Sequence, residues 1–156
     1  MWVTCYADAS FSSVDGGAWA VWMQCGPERL VRSGVCPPYV HDPVAAELAA
    51  LYAGAFLATQ RWGPSVRVVA LRSDCRGALE LADHQRRLSK NAACRRLQTK
   101  LRELVGAHGL ELHCRWVRGA SADRRGHRRV PERTLRRARP KEPPRRRSFP
   151  IPRLTS

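Results

Sequence analysis

The stretch WVTCYADASFSSVDGGAWAVWMQC, residues 2–25, decides the fold. Its first arm, Trp2 to Ala9, is β-branched, aromatic and small, the composition of a strand with a buried face. Asp15-Gly16-Gly17 supplies turn chemistry, and the chain returns as a second arm from Gly17 to Cys25. A hairpin therefore starts the sheet. One residue is out of keeping with it: Asp8 stands among Cys5, Tyr6, Ala7 and Ala9, where an unpaired carboxylate carries a desolvation cost that a bound cation would relieve.

Outward from the hairpin, Glu28 to Cys36 alternates as a third strand and stops at Pro37-Pro38, which cannot continue a ladder. Asp42 is a good N-cap and Pro43 suits a first helical position. Val44, Leu48, Leu51, Tyr52 and Ala55 then recur at helical spacing, so a helix is expected to about Arg61. Gly63-Pro64 breaks the chain, and Val66 to Leu71 is a short apolar strand that needs a covered, parallel place in the sheet. Arg76 to Ala82 and Leu88 to Val105 read as helices, the second with Leu97, Leu101, Leu104 and Val105 on one stripe, and Leu110 to Val117 is the last strand. Hairpins followed by helix-linked strands demand an α/β fold with a five-stranded mixed sheet and helices on its faces.

At 156 residues the chain has room for one domain with a real core. Its net charge of +15 is concentrated: from Arg115 to Ser156 there are 15 Lys and Arg against 3 acids. After Arg118 a basic loop runs from Gly119 to Arg129, Val130 to Ala138 suits a short helix, and the Pro- and Arg-rich end is expected to be disordered. The division is a domain over residues 1–139 and a tail over 140–156. Such a basic field attracts polyanions in a strongly salt-dependent way, so nucleic acid is the leading partner and an anionic membrane surface the weaker one. Six cysteines at positions 5, 25, 36, 75, 94 and 114 have no zinc-ligand spacing and read as small buried hydrophobes. With neither a signal sequence nor a stretch of membrane-spanning length, a reducing cytoplasm fits best.

Acids are scarce, 13 against 28 bases, and three lie in or beside apolar elements: Asp8, Glu47 in Val44-Ala45-Ala46-Glu47-Leu48, and Asp74 in Leu71-Arg72-Ser73-Asp74-Cys75. If the fourth strand pairs with the first in parallel and the first helix packs over both, the three carboxylates converge. Hard divalent cations are the usual remedy for the repulsion. Each acid has a plainer role available: Asp8 as a strand-end residue, Glu47 stabilised by the helix dipole, Asp74 as N-cap of the following helix.

Asp8-Ala9-Ser10, Ala46-Glu47-Leu48 and Ser73-Asp74, in this order and at these separations, resemble the three acidic signatures of the ribonuclease H family. The likeness runs from about Val3 to Ala138 and takes in Trp19-Ala20-Val21-Trp22 as the family's second strand. The resemblance implies a two-metal-ion endonuclease that hydrolyses the RNA strand of RNA/DNA hybrids as a monomer. Asp8, Glu47, Asp74 and Glu132 would hold two Mg²⁺, with Mn²⁺ as a substitute. Glu132 stands where the family has its last Asp, and Asp123 competes with it. Ala120 occupies the place of the family's loop His, for which His127 is a candidate replacement. Ser10, Cys75, Arg118 and His127 are the expected substrate contacts. The Asn residues that the family often carries before the helix Glu are absent here, where His41-Asp42-Pro43-Val44 stands. Two further readings stay open: a catalytically weak or inactive nucleic-acid-binding module, and another metal nuclease of the same fold.

Overall fold

The computed structural model describes residues 1–84 and 87–119. Five strands and three α-helices follow the order β1 (Trp2–Ser12), β2 (Gly16–Cys25), β3 (Glu28–Val35), α1 (Pro43–Trp62), β4 (Val68–Ser73), α2 (Arg76–Asp83), α3 (Ala92–His108), β5 (Glu111–Trp116), with a 3-10 turn at Gly63–Ser65. The strands form one mixed sheet in the order β3-β2-β1-β4-β5. β1, β2 and β3 form an antiparallel meander, whereas β4 lies parallel to β1 and β5 parallel to β4. The two parallel joints follow from the helices inserted before β4 and β5, since parallel neighbours need a crossover.

Alternation along the strands separates the two faces. Val3, Cys5, Ala7, Val21, Met23, Val69 and Leu71 are buried on one face against α1, while α2 packs on β5 and α1 and α3 packs on α1. Each buried Leu or Val side chain removed from water contributes about 1.5–3 kcal/mol before entropy is counted. Among the described residues every helix lies on this side. The short helix expected over Val130–Ala138, and with it the boundary at residue 139, lies outside the described residues. On the opposite face Tyr6 meets the edge of Trp22 at 5.4 Å between ring centroids, and Arg72 lies over Tyr6 at 5.1 Å while donating to its hydroxyl at 2.6 Å.

Small residues set how closely α1 approaches the sheet. Ala45, Ala46, Ala49, Ala50, Gly54, Ala55 and Ala58 are buried along it, and a β-carbon on Gly54 would collide with the Cys5 sulfur. Helix ends follow the expected chemistry. Asp42 accepts from the Ala45 amide at 2.9 Å with Pro43 beginning α1, and Gly109 closes α3 in the left-handed conformation.

The sequence reading starts α3 too early, at Leu88. The helix begins at Ala92 because Asn91 caps it, accepting from the Cys94 amide at 3.0 Å. The preceding backbone is claimed by Gln98, fully buried, which accepts from the Ser89 amide and donates to the Leu81 and Arg87 carbonyls. Strand β1 runs three residues beyond Ala9, since Ser10, Phe11 and Ser12 still pair with β2. All six cysteines are free thiols, four of them buried and Cys75 and Cys114 half-buried.

Candidate metal centre

The parallel pairing of β1 and β4 puts Tyr6 opposite Arg72, and in each strand the chain continues two residues further to an acid, Asp8 in one and Asp74 in the other. Asp8 is still held in the ladder, opposite Ala20 of β2. The start of α1 lies over this end, so that Glu47, in its second turn, accepts a hydrogen bond from the Ala9 amide at 3.2 Å. Three elements that are distant in sequence thus bring one carboxylate oxygen each from Asp8, Glu47 and Asp74 within 4.8 Å of one another.

This grouping is costly without a cation. The Glu47 carboxyl is pushed up to about 8, chiefly by burial and then by Asp8, with Asp74 adding to the rise and the Ala9 amide and Ser73 hydroxyl opposing it. Its Oε2 is buried with no hydrogen-bond partner among the described residues. An orphaned buried carboxylate oxygen facing two further carboxylates suits a hard divalent ion, whose preferred ligands are oxygens. The residues present therefore fit such an ion.

No family model and no curated protein matches the chain. Solved structures do. The ribonuclease H1 of the halophilic archaeon Halobacterium salinarum is similar over 78% of this chain and 89% of its own, with a TM-score of 0.61 and 19% identity. The N-terminal ribonuclease H domain of a Mycobacterium tuberculosis protein, solved as a fusion with maltose binding protein, is similar over 78% and 90% at a TM-score of 0.62 and 17% identity. LC11 ribonuclease H1, solved in complex with an RNA/DNA hybrid, matches over 78% and 89% with a TM-score of 0.61 and 15% identity. The chain has the ribonuclease H fold.

On this ribonuclease H fold Asp8, Glu47 and Asp74 stand together, as the sequence expectation requires. The plainer role for Asp74 is corrected: the N-cap of α2 is Cys75, which makes no side-chain capping bond. Cys75 borders the triad, its thiol raised by burial first, with Glu47 and Asp74 contributing. Ser10 lies in β1 opposite Ala18, two residues beyond Asp8, and Arg118 is exposed just after β5. His127, Glu132, Asp123 and Ala120 lie outside the described residues.

Sequence reasoning missed the partners that hold the acids. Ser73, almost fully buried, accepts from the Cys75 amide at 3.0 Å, and its own carbonyl accepts from Val117 at 2.9 Å. Trp116 donates from its indole nitrogen to the Asp74 carbonyl at 3.0 Å. No helix among the described residues is long and apolar enough to cross a membrane.

Proposed function

We propose that the protein is a metal-dependent endonuclease that hydrolyses the RNA strand of RNA/DNA hybrids. The observation that carries this reading is the convergence of Asp8, Glu47 and Asp74 carboxylate oxygens within 4.8 Å, one of the Glu47 oxygens buried and unpartnered among the described residues. Asp8, Glu47 and Asp74 would hold Mg²⁺ or Mn²⁺, with Glu132 as the fourth acid and two ions as the full complement. Bound there, such ions activate water as a nucleophile and stabilise charge on the phosphoryl group and the leaving oxygen.

The chain's own residues supply position. The Ala9 amide orients the Glu47 carboxylate, the Trp116 indole fixes the Asp74 backbone, and the half-buried setting of Asp8 and Glu47 strengthens their interactions with charge. Arg76 lies over the Trp116 ring at 4.6 Å, on the indole that bonds the Asp74 carbonyl, where its guanidinium would meet a phosphate of the bound strand. The basic stretch from Arg115 to Ser156 would add affinity that does not depend on sequence. The hybrid as substrate is further supported by the complex of LC11 ribonuclease H1 with an RNA/DNA hybrid.

Ala120, where the family has its loop His, favours a second reading, a nucleic-acid-binding module of the same fold with weak or no catalysis. The deciding experiment is incubation of the purified protein with labelled RNA/DNA hybrid, duplex DNA and single strands in Mg²⁺ or Mn²⁺. Hybrid cleavage that falls at least about 100-fold in Asp8→Asn and Asp74→Asn is the expected result. Binding without cleavage in either metal overturns the nuclease in favour of the binding module.

A further inference from the structure

We infer that Gly119 and Trp116 are positioning residues, which together set where the Asp74 carboxylate stands and thereby the affinity of the triad for a small divalent cation. The inference rests on the metal-binding reading above and concerns residues to which that reading gives no part in selecting the ion.

The first observation is steric. A β-carbon at position 119 would stand 2.5 Å from Asp74 Oδ2, 3.5 Å from its Cγ and 3.7 Å from its Cβ. Real β-carbons essentially never approach a heavy atom so closely, so the Asp74 carboxylate, the far end of an exposed side chain, would have to swing aside, a shift of little cost in itself. Backbone conformation does not account for the glycine, since the positive φ values belong to Gly16, Gly26, Gly63 and Gly109 and not to Gly119. The missing side chain is explained by the carboxylate that occupies its place.

The second observation is a set of hydrogen bonds leading from β5 to the same residue. The Val117 amide donates to the Ser73 carbonyl at 2.9 Å, and the Trp116 indole donates to the Asp74 carbonyl at 3.0 Å. The Trp116 ring is in turn covered by Arg76 of α2 at 4.6 Å. Asp74 lies just past the end of β4, outside the ladder, with an exposed side chain. The end of β5 thus sets where Asp74 stands: two hydrogen bonds fix the main chain at Ser73 and Asp74, and the absent side chain of Gly119 leaves the space that the carboxylate fills.

Restoring ordinary contact to a β-carbon at 119 would push the Asp74 oxygen away by roughly an ångström, about twice the tolerance of a well-made site. Mg²⁺ demands near-ideal octahedral geometry at short distances, whereas Ca²⁺ accepts irregular shells at longer ones. The displacement therefore falls more heavily on Mg²⁺ than on Ca²⁺.

The test is calorimetric titration of Mg²⁺ and Ca²⁺ into the full chain, comparing wild type with Gly119→Ala, Trp116→Phe and Asp74→Ala. Alongside it, a double-mutant cycle of Gly119→Ala and Asp74→Ala is read by thermal unfolding in chelator. Gly119→Ala should weaken Mg²⁺ binding by about 10- to 100-fold and Ca²⁺ binding less, with Trp116→Phe, at a site already 40% exposed, acting in the same direction. In chelator, the change in Tm caused by Gly119→Ala should be less favourable in the wild-type background than in the Asp74→Ala background, where the carboxylate is gone. Wild-type affinity for Mg²⁺ in Gly119→Ala, or an equal change of Tm in both backgrounds, overturns the inference. If the wild type takes up no ion, the metal-binding reading and the affinity claim fail together. The chelator cycle then reports separately whether Gly119 sets the place of Asp74.

Discussion

Replacing Glu47 by Gln should make the ion-free protein more stable above pH 8, while removing its response to divalent cations. The carboxyl has an ordinary value of 4.5 and is pushed up to about 8 in the folded protein, so folding is coupled to proton uptake between those limits. The direction follows from the raised value. Stability contributed by the protonated group is fully present below pH 4.5 and is lost as pH rises through about 8. At about 1.4 kcal/mol per pH unit the window amounts to at most about 5 kcal/mol. Residual solvent at this half-buried group brings the expectation to about 2–3 kcal/mol.

The amide introduced by Glu47→Gln keeps an oxygen to accept from the Ala9 amide and carries no charge, so the variant should avoid that loss at every pH. The assay is urea unfolding followed by tryptophan fluorescence in chelator. Wild type and Glu47→Gln should match near pH 4.5 and separate by about 2–3 kcal/mol above pH 8, the variant being the more stable. Adding Mg²⁺ at saturation should raise the wild type alone, by about 2.7 kcal/mol at a hundred times the dissociation constant. Equal stabilities at both pH values, or an equal Mg²⁺ response in the variant, would refute the reasoning.

Gln98→Ala should cost about 2–4 kcal/mol in chemical unfolding, because it empties a fully buried site and strands the Ser89 amide and the Leu81 and Arg87 carbonyls. Asn91→Ala, which deletes the α3 cap, should cost about 1 kcal/mol, and an unfolding midpoint equal to that of the wild type would show that the cap contributes nothing. Removing residues 139–156 takes away Arg139, Lys141, Arg145, Arg146, Arg147 and Arg153 with one acid, Glu142. Binding to nucleic acid should then weaken and its salt slope fall by at most about 5, and a slope identical to that of the full chain would rule the tail out as a phosphate contact.

Most of the fold was legible because its signals are local. Asp15-Gly16-Gly17 marks a turn, Pro37-Pro38 an end, and Asp42-Pro43 a helix start, and each does this within a few residues of chain. The three acids were legible for a similar reason, standing out against apolar neighbours on elements of recognisable type. What pins them was not legible. Trp116 reaches Asp74 from another strand, 42 residues along the chain, and Gly119 reads locally as one more loop glycine, since only the folded chain reveals that a carboxylate fills the space of its side chain. The early start given to α3 has the same origin. Leu88 continues an apolar stripe, but Gln98 from the following turns captures the backbone there before it can coil.

The tight seating of α1 on β1 makes the triad sensitive to residues that never approach it. Gly54 lies seven positions along the helix from Glu47, about 10 Å away, and rests directly on Cys5. A bulkier residue there would tilt the rod like a wedge under one end of a beam, and the opposite end holds the carboxylate. Volume is therefore restricted along the whole underside of that rod, and a substitution far from the acids would displace Glu47 with every carboxylate chemically intact.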